Sequence, residues 1–187
     1  RLTKVAQRAL SSLHTVQASY DVATMAIRNN VAGDFAECGV FAGAQVAAMA
    51  LALRDCGVSN RRIHMFDSFS GIPAGGARDL GWSHPEGTSG CSIAQVVSHM
   101  AEWGIPDNVL VYHPGLFAPG MGTNVGTLAV LRLDGDLYES TKICLAELYP
   151  KLSVGGWLII DDFGLAGSRA AADEYFGEYP PVYMQRH

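Results

Sequence analysis

Six carboxylates stand where a fold could gather them: Glu37, Asp67, Asp134, Asp136, Asp161 and Asp162. Each follows or ends a short apolar run, and such runs read as buried strands. In an open α/β sheet, ligands bind outside the carboxyl ends of the strands. The six acids therefore converge on one rim. Crowded carboxylates repel one another, and keeping them charged is costly unless a cation sits among them. Oxygen-only ligands suit a hard ion such as Mg²⁺, which keeps some of its water and leaves positions for substrate oxygens. Plainer readings stand beside this one. Asp134-Gly135-Asp136 is also a hairpin signal, although a helical pattern follows it in place of a strand. Asp161-Asp162 also suits a loop start with one residue capping a helix.

The stretch from Glu37 to Gly43 reads as a strand, a tight turn and a helix start. Gly39 permits the turn and a close backbone approach, and the helix beyond offers free N–H groups to an anion. The pattern is E-x-G-x-x-x-G and not G-x-G-x-x-G, which disfavours a nicotinamide cofactor. Asp67 ends the second apolar run, where a carboxylate accepts hydrogen bonds from ribose hydroxyls. Its plainer reading is a turn cap with Ser68. His84 lies in a long loop with Trp82, Ser83 and Pro85, either against a substrate or on the surface. His64 reads as a structural strand residue, and His14 and His99 as solvated helix residues. Lys142 either pairs with a nearby acid or faces solvent.

The elements that must position these residues alternate strand with helix, the pattern of an α/β domain with a parallel sheet. Leu2–Asn29 has helical periodicity and divides into two helices ended by Asn29, Asn30 and Gly33. Strands follow at Asp34–Cys38, Arg62–Phe66, Asn108–His113, Thr127–Leu133 and Gly156–Ile160. Helices are expected at Ala44–Cys56, Ser92–Trp103, Tyr138–Tyr149 and Ser168–Phe176, and a last strand at Val182–Gln185. The loop Ser68–Gly90 is too long for an ordinary connector and suits a lid or binding loop. The whole reads as one domain: an N-terminal helical cap over 1–30 and an α/β core over 33–187.

At 187 residues the chain is long enough for a substantial core, and its 49% hydrophobic content argues against disorder. The net charge of −5 and the single adjacent basic pair, Arg61-Arg62, argue against a nucleic-acid partner. The longest apolar run is Val46–Leu53, far short of the roughly 20 residues that cross a membrane. No leader pattern opens the sequence. Cys38, Cys56, Cys91 and Cys144 form no C-x-x-C pair, so reduced thiols in a cytoplasmic protein are expected in place of a zinc site.

Four blocks together resemble the macrocin O-methyltransferase family. They are G-D-F-A-E-C-G-V from Gly33, F-D-S-F-S-G-I-P from Phe66, L-R-L-D-G-D-L-Y-E-S-T from Leu131, and L-Y-P-K-L through G-G-W-L-I-I-D-D from Leu148 to Asp162. The resemblance covers about Gly33 to Phe176. It implies a Rossmann-like class I methyltransferase fold, a mostly parallel twisted sheet with helices on both faces, with or without the family's last strand. It implies S-adenosylmethionine and Mg²⁺ as cofactors and a small hydroxylated acceptor, such as a natural-product sugar. Residue by residue, it implies that Glu37, Gly39 and Gly43 line the cofactor and that Asp67 and Ser68 hold its ribose. His113, ending the third strand, is placed beside the adenine. Asp134, Asp161 and Asp162 would bind the metal, and Asp136 would be the general base. The loop Pro114–Gly122 departs from the family pattern. That keeps a second expectation open, an idle cofactor-binding or assembly subunit of the same fold. Exposed sheet edges and apolar N-terminal helices suit a homodimer.

Overall fold

The computed structural model describes residues 1–177. A short helix α1 (Leu2–Ala6) precedes α2 (Leu13–Arg28), and the break between them ends where Ser12 Oγ accepts from Thr15 N at 3.3 Å, an N-cap. The core then runs β1 (Asp34–Cys38), α3 (Ala44–Asp55), β2 (Ile63–Asp67), α4 (Ile93–Trp103), β3 (Leu110–Pro114), β4 (Leu128–Leu133), α5 (Tyr138–Leu148), β5 (Leu152–Ile160) and α6 (Ala166–Phe176). The fold class and the element order agree with the sequence reading.

Five parallel strands form one sheet in the order β3-β2-β1-β4-β5. The order reverses between β1 and β4, so the crevice of a doubly wound fold opens at their carboxyl ends. Both strands are buried through almost every position. Phe, Ala and Cys in β1 and Leu, Ala and Val in β4 carry buried apolar positions on both faces, as a sheet covered on both sides requires. On one face, Phe35, Ile63, Met65 and Val130 pack against α2, α3 and α4. On the other, Ala36, Phe66, Leu131 and Leu133 pack against Cys144, Leu145 and Leu148 of α5.

The helix α3 is buried from Ala44 to Leu53, and its alanines let it lie between the sheet and α2. The helix α4 opens with a capping box, Ser92 with Gln95, and closes on Gly104 in the left-handed conformation. Most boundaries fall within one or two residues of the sequence reading, and β5 differs most. The strand β5 begins at Leu152, four residues before the expected Gly156, because a one-turn 3₁₀ helix over Tyr149–Lys151 delivers the chain straight to the sheet edge. Gly155, at φ +80°, and a register shift opposite Leu128–Val130 absorb the irregularity. The helix α6 starts at Ala166, ahead of the expected Ser168. The expected strand Val182–Gln185 lies outside the described residues. No helix among the described residues is long and apolar enough to cross a membrane.

Candidate active site

The first-strand turn is built for contact between strand ends. Gly39 has φ +88°, and a Cβ there would fall 1.6 Å from the Asp134 carbonyl oxygen. Any side chain would push the β1 and β4 rims apart. Asp134 N donates to Cys38 O at 2.8 Å, and Gly39 N donates to Phe66 O at 2.9 Å. So the glycine brings three strand ends together, and with them Glu37, Asp67 and Asp134.

Asp67 fastens this turn to the next loop. Its Oδ2 accepts from Val40 N at 2.6 Å and Phe41 N at 3.0 Å, and its Oδ1 accepts from Phe69 N at 2.7 Å. Ser68 Oγ donates to Gly71 O at 2.8 Å and accepts from Ser70 N and Gly71 N. The turn reading of Asp67 and Ser68 is thus realised. The Ser68 hydroxyl also lies 3.5 Å from Asp67 Oδ1.

A cavity of about 390 Å³ opens beside this turn, in the range of small-molecule sites. Glu37, Gly39, Asp67, Ser68, Asp134, Asp136, Asp161 and Asp162 all line it, as do Ala9, Leu10 and Ser11 from the N-terminal cap. Gln45 Nε2 donates to Ser11 Oγ at 2.9 Å and ties the cap to α3. Glu37 is buried, and its Oε2 has no hydrogen-bond partner among the described residues. Burial pushes its carboxyl up to about 8, against the pull of Arg132 and with the repulsion of Asp134 and Asp161. An unpartnered acceptor in a cavity wall calls for a donor from a ligand.

Asp134, Asp161 and Asp162 each present an oxygen within 4.8 Å of the others. Asp136 sits between them in the left-handed region, at φ +60°, and its N–H donates to Asp162 Oδ2 at 2.8 Å. Desolvation, then the charges of Asp134 and Asp161, push the Asp136 carboxyl up to about 7. Burial and the neighbouring acids Asp134 and Asp136 push Asp162 up to about 8. Burial also raises Asp161, although Arg132 opposes it. Each shift signals negative charge that lacks a full counterion.

The sequence reading gave no role to the residue at the centre of this network. Arg132, one residue before the carboxyl end of β4, is fully buried. Its Nη1 donates to Glu37 Oε1 at 2.9 Å and to Asp134 Oδ2 at 2.6 Å, and its Nη2 lies 2.8 Å from Asp161 Oδ1, out of hydrogen-bond alignment. Burial works against the guanidinium charge, but Asp134, Glu37 and Asp161 outweigh it and push its pKa up. One cation thus spans the cavity floor and the carboxylate rim. The available signal was a charged residue inside an apolar central strand, which must be paired if it is to be buried.

Two residues named for the cofactor stand elsewhere. His113 does not line the cavity. Its Nε2 lies 2.9 Å from His64 Nδ1, its ring stacks on Phe66 at 4.1 Å, and His64 Nε2 lies 3.3 Å from Asp34 Oδ2. The period of two along β3 turns His113 to the face shared with His64 and Phe66, away from the turn. Burial and then His64 lower its pKa. Gly43 is the N-cap of α3 at φ +87°, where a Cβ would meet Met100 Cε at 2.4 Å. Its freedom serves packing against α4. His99, expected in solvent, is half-buried with Nδ1 3.1 Å from Ala42 O. Lys142 donates to the Tyr138 hydroxyl at 3.3 Å. His84 and Trp82 line a second opening together with Asp136, Asp161 and Asp162.

The comparisons with known proteins agree with one another. A curated 4'-O-methyltransferase of a rhamnosylated tetracenomycin from Streptomyces olivaceus is 38% identical over 82% of this chain and 61% of its own length. Demethyldecarbamoylnovobiocin O-methyltransferase from Streptomyces niveus is 37% identical over 82% of this chain and 62% of its own. The chain therefore spans about three-fifths of the length of these relatives. Among solved structures, the O-methyltransferase NovP is 33% identical, with a TM-score of 0.80 over 90% of this chain and 73% of that one. The family model described as macrocin O-methyltransferase (TylF) matches residues 3–179, and the chain belongs to the macrocin O-methyltransferase family.

Proposed function

We propose that this chain carries the cofactor and cation sites of an S-adenosylmethionine- and Mg²⁺-dependent O-methyltransferase acting on a hydroxyl of a natural-product small molecule, such as a sugar. The observation that carries this reading is the convergence of Asp134, Asp161 and Asp162 beside Asp136, at the rim of a cavity floored by Glu37.

Both groups fit the residues present. The unpartnered, buried Glu37 Oε2 suits the ammonium of an amino-acid moiety. Asp67, in the cavity wall at the end of the second strand, suits a ribose hydroxyl. Three converging carboxylate oxygens suit a hard divalent cation. When bound, S-adenosylmethionine supplies the methyl group, and the cation makes a nearby hydroxyl a better acid.

The chain's own residues account for the rest. Asp136 stands beside the cation ligands, its N–H donating to Asp162, where its carboxylate suits a general base for the acceptor hydroxyl. Arg132 holds one oxygen of Asp134, lies against one of Asp161, and leaves their other oxygens for the rim. Glu37 and the Gly39 turn set the cofactor end within reach of that rim. Holding donor and acceptor in one geometry supplies much of the rate in such a transfer. The four free cysteines suit a reducing, cytoplasmic setting.

The test is transfer of labelled methyl from S-adenosylmethionine to a panel that includes demethyldecarbamoylnovobiocin and rhamnosylated polyketides, with Mg²⁺ and with EDTA. Transfer that stops with EDTA and falls by about 10³-fold or more in Asp134→Ala is expected. Equal turnover with EDTA would remove the cation from the scheme. Turnover on any acceptor excludes an idle subunit.

A further inference from the structure

The long loop between β2 and α4 has a polar anchor whose partner lies far along the chain. Asp79 is half-buried, and its Oδ1 accepts from Tyr138 N at 2.7 Å across 59 residues of sequence. Its Oδ2 accepts from Gly76 N at 2.7 Å. Tyr138 is the first residue of α5, and the N-cap residue Leu137 supplies no side-chain cap. The first N–H groups of a helix need acceptors, and a carboxylate is favoured at that end. Asp79 meets both needs. Gly167 makes room for it, since a Cβ there would fall 1.9 Å from Asp79 Oδ1. Next to the anchor, Arg78 pairs with Glu174 and lies 4.8 Å over the Tyr138 ring.

The loop beyond this anchor faces the rim. Trp82 lies across Gly75, where a Cβ would come within 2.6 Å of the indole. His84 meets the indole edge-on, with ring centroids 4.8 Å apart. Both line the opening that Asp136, Asp161 and Asp162 also line. The wall that shares this opening with the carboxylates is therefore an aromatic face.

We propose that Asp79 is a positioning residue: by capping α5 it fixes the loop so that Trp82 and His84 form the acceptor-facing wall across from Asp136, Asp161 and Asp162. This rests on the methyltransferase reading above. The helix that Asp79 caps begins two residues after Asp136, so the wall and the base are fastened to one helix end. The chemistry that fits the wall is a ring with an apolar face.

Hydrogen exchange read by mass spectrometry tests this on the whole chain without an acceptor. In Asp79→Ala, amides within 71–90 and the Tyr138 amide should exchange about fivefold faster or more, while β1 and β4 keep their protection. Asp79→Asn keeps an oxygen acceptor and should restore most of the protection. Acrylamide quenching of indole emission should rise in Asp79→Ala, and that rise should vanish in the Trp82→Phe background. Unchanged loop protection in Asp79→Ala overturns the proposal. So does a loss spread equally over β1 and β4, or a quenching rise that persists without Trp82. Calorimetric titration of S-adenosylhomocysteine into the unaltered protein separates the two ideas: no binding refutes the methyltransferase reading, while the exchange data still decide the anchor.

Discussion

Replacing Arg132 with methionine tests the electrostatic core of the site. The guanidinium is fully buried and lies within 3 Å of Glu37, Asp134 and Asp161. Methionine keeps most of the apolar stem and removes the charge. Three carboxylates then lose their shared counterion, one of them, Glu37, at 1% exposure. Removing one partner of a buried ion pair typically costs about 3–5 kcal/mol, because the other charge stays behind. For a domain of this size, about 2–4 °C is lost per kcal/mol, so the melting temperature should fall by roughly 6–20 °C. Urea denaturation in EDTA should show a lower midpoint with an unchanged slope. The deficit should be smallest near pH 5, where protonation relieves the orphaned acids, and should grow toward pH 8. Glu37→Gln in the same background should recover about 1 kcal/mol or more at pH 8 and little at pH 5, since the Glu37 carboxyl is already pushed up to about 8. A variant within about 1 kcal/mol of the parent at pH 7, or a deficit equal at pH 5 and pH 8, would refute the reasoning.

Gly39→Ala should leave little folded protein, because its Cβ would stand 1.6 Å from the Asp134 carbonyl oxygen at φ +88°; a cooperative melt close to the parent's would show that the two strand ends separate easily. In EDTA the stability of the unaltered protein should fall as pH rises from about 4 to 8, since Glu37, Asp136 and Asp162 are pushed up to about 8, 7 and 8 from ordinary values near 4, and the folded state holds protons that the unfolded chain has released. Added Mg²⁺ should reverse that fall at pH 8, and a flat profile in EDTA would contradict the crowded-acid picture. His113→Ala should change S-adenosylhomocysteine affinity by less than about twofold, because His113 faces His64 and Phe66 outside the cavity; a tenfold loss by calorimetry would put it back beside the cofactor.

Much of this protein was legible as pattern. Unbroken apolar strands between helical stretches specify a covered parallel sheet, and that sheet places the acids that follow its strands on one rim. Glu37, Asp134, Asp136, Asp161 and Asp162 were found this way, because their place at strand ends is a property of local sequence. The break before α2 and the start of α4 were also local, since Ser12 and Ser92 cap helices within three residues.

What the sequence could not decide depended on partners far away along the chain. Arg132 reads as one charge in an apolar strand until the fold brings Glu37 and Asp161 to it from two other strand ends. Asp79 is one acid among many in a loop until α5 lacks a cap of its own and Gly167 leaves room. His113 sits at a strand end, as a cofactor-binding residue should, but the side to which β3 turns it depends on the register with His64 and Phe66. Gly39 suggested a ligand's approach, and the contact it permits is with the chain's own strand β4. Local sequence determines which residues end strands and start helices, because capping, periodicity and turn chemistry act within a few residues. Only the tertiary structure decides which of those ends meet, because burial, countercharge and steric contact between distant segments arise when the sheet assembles.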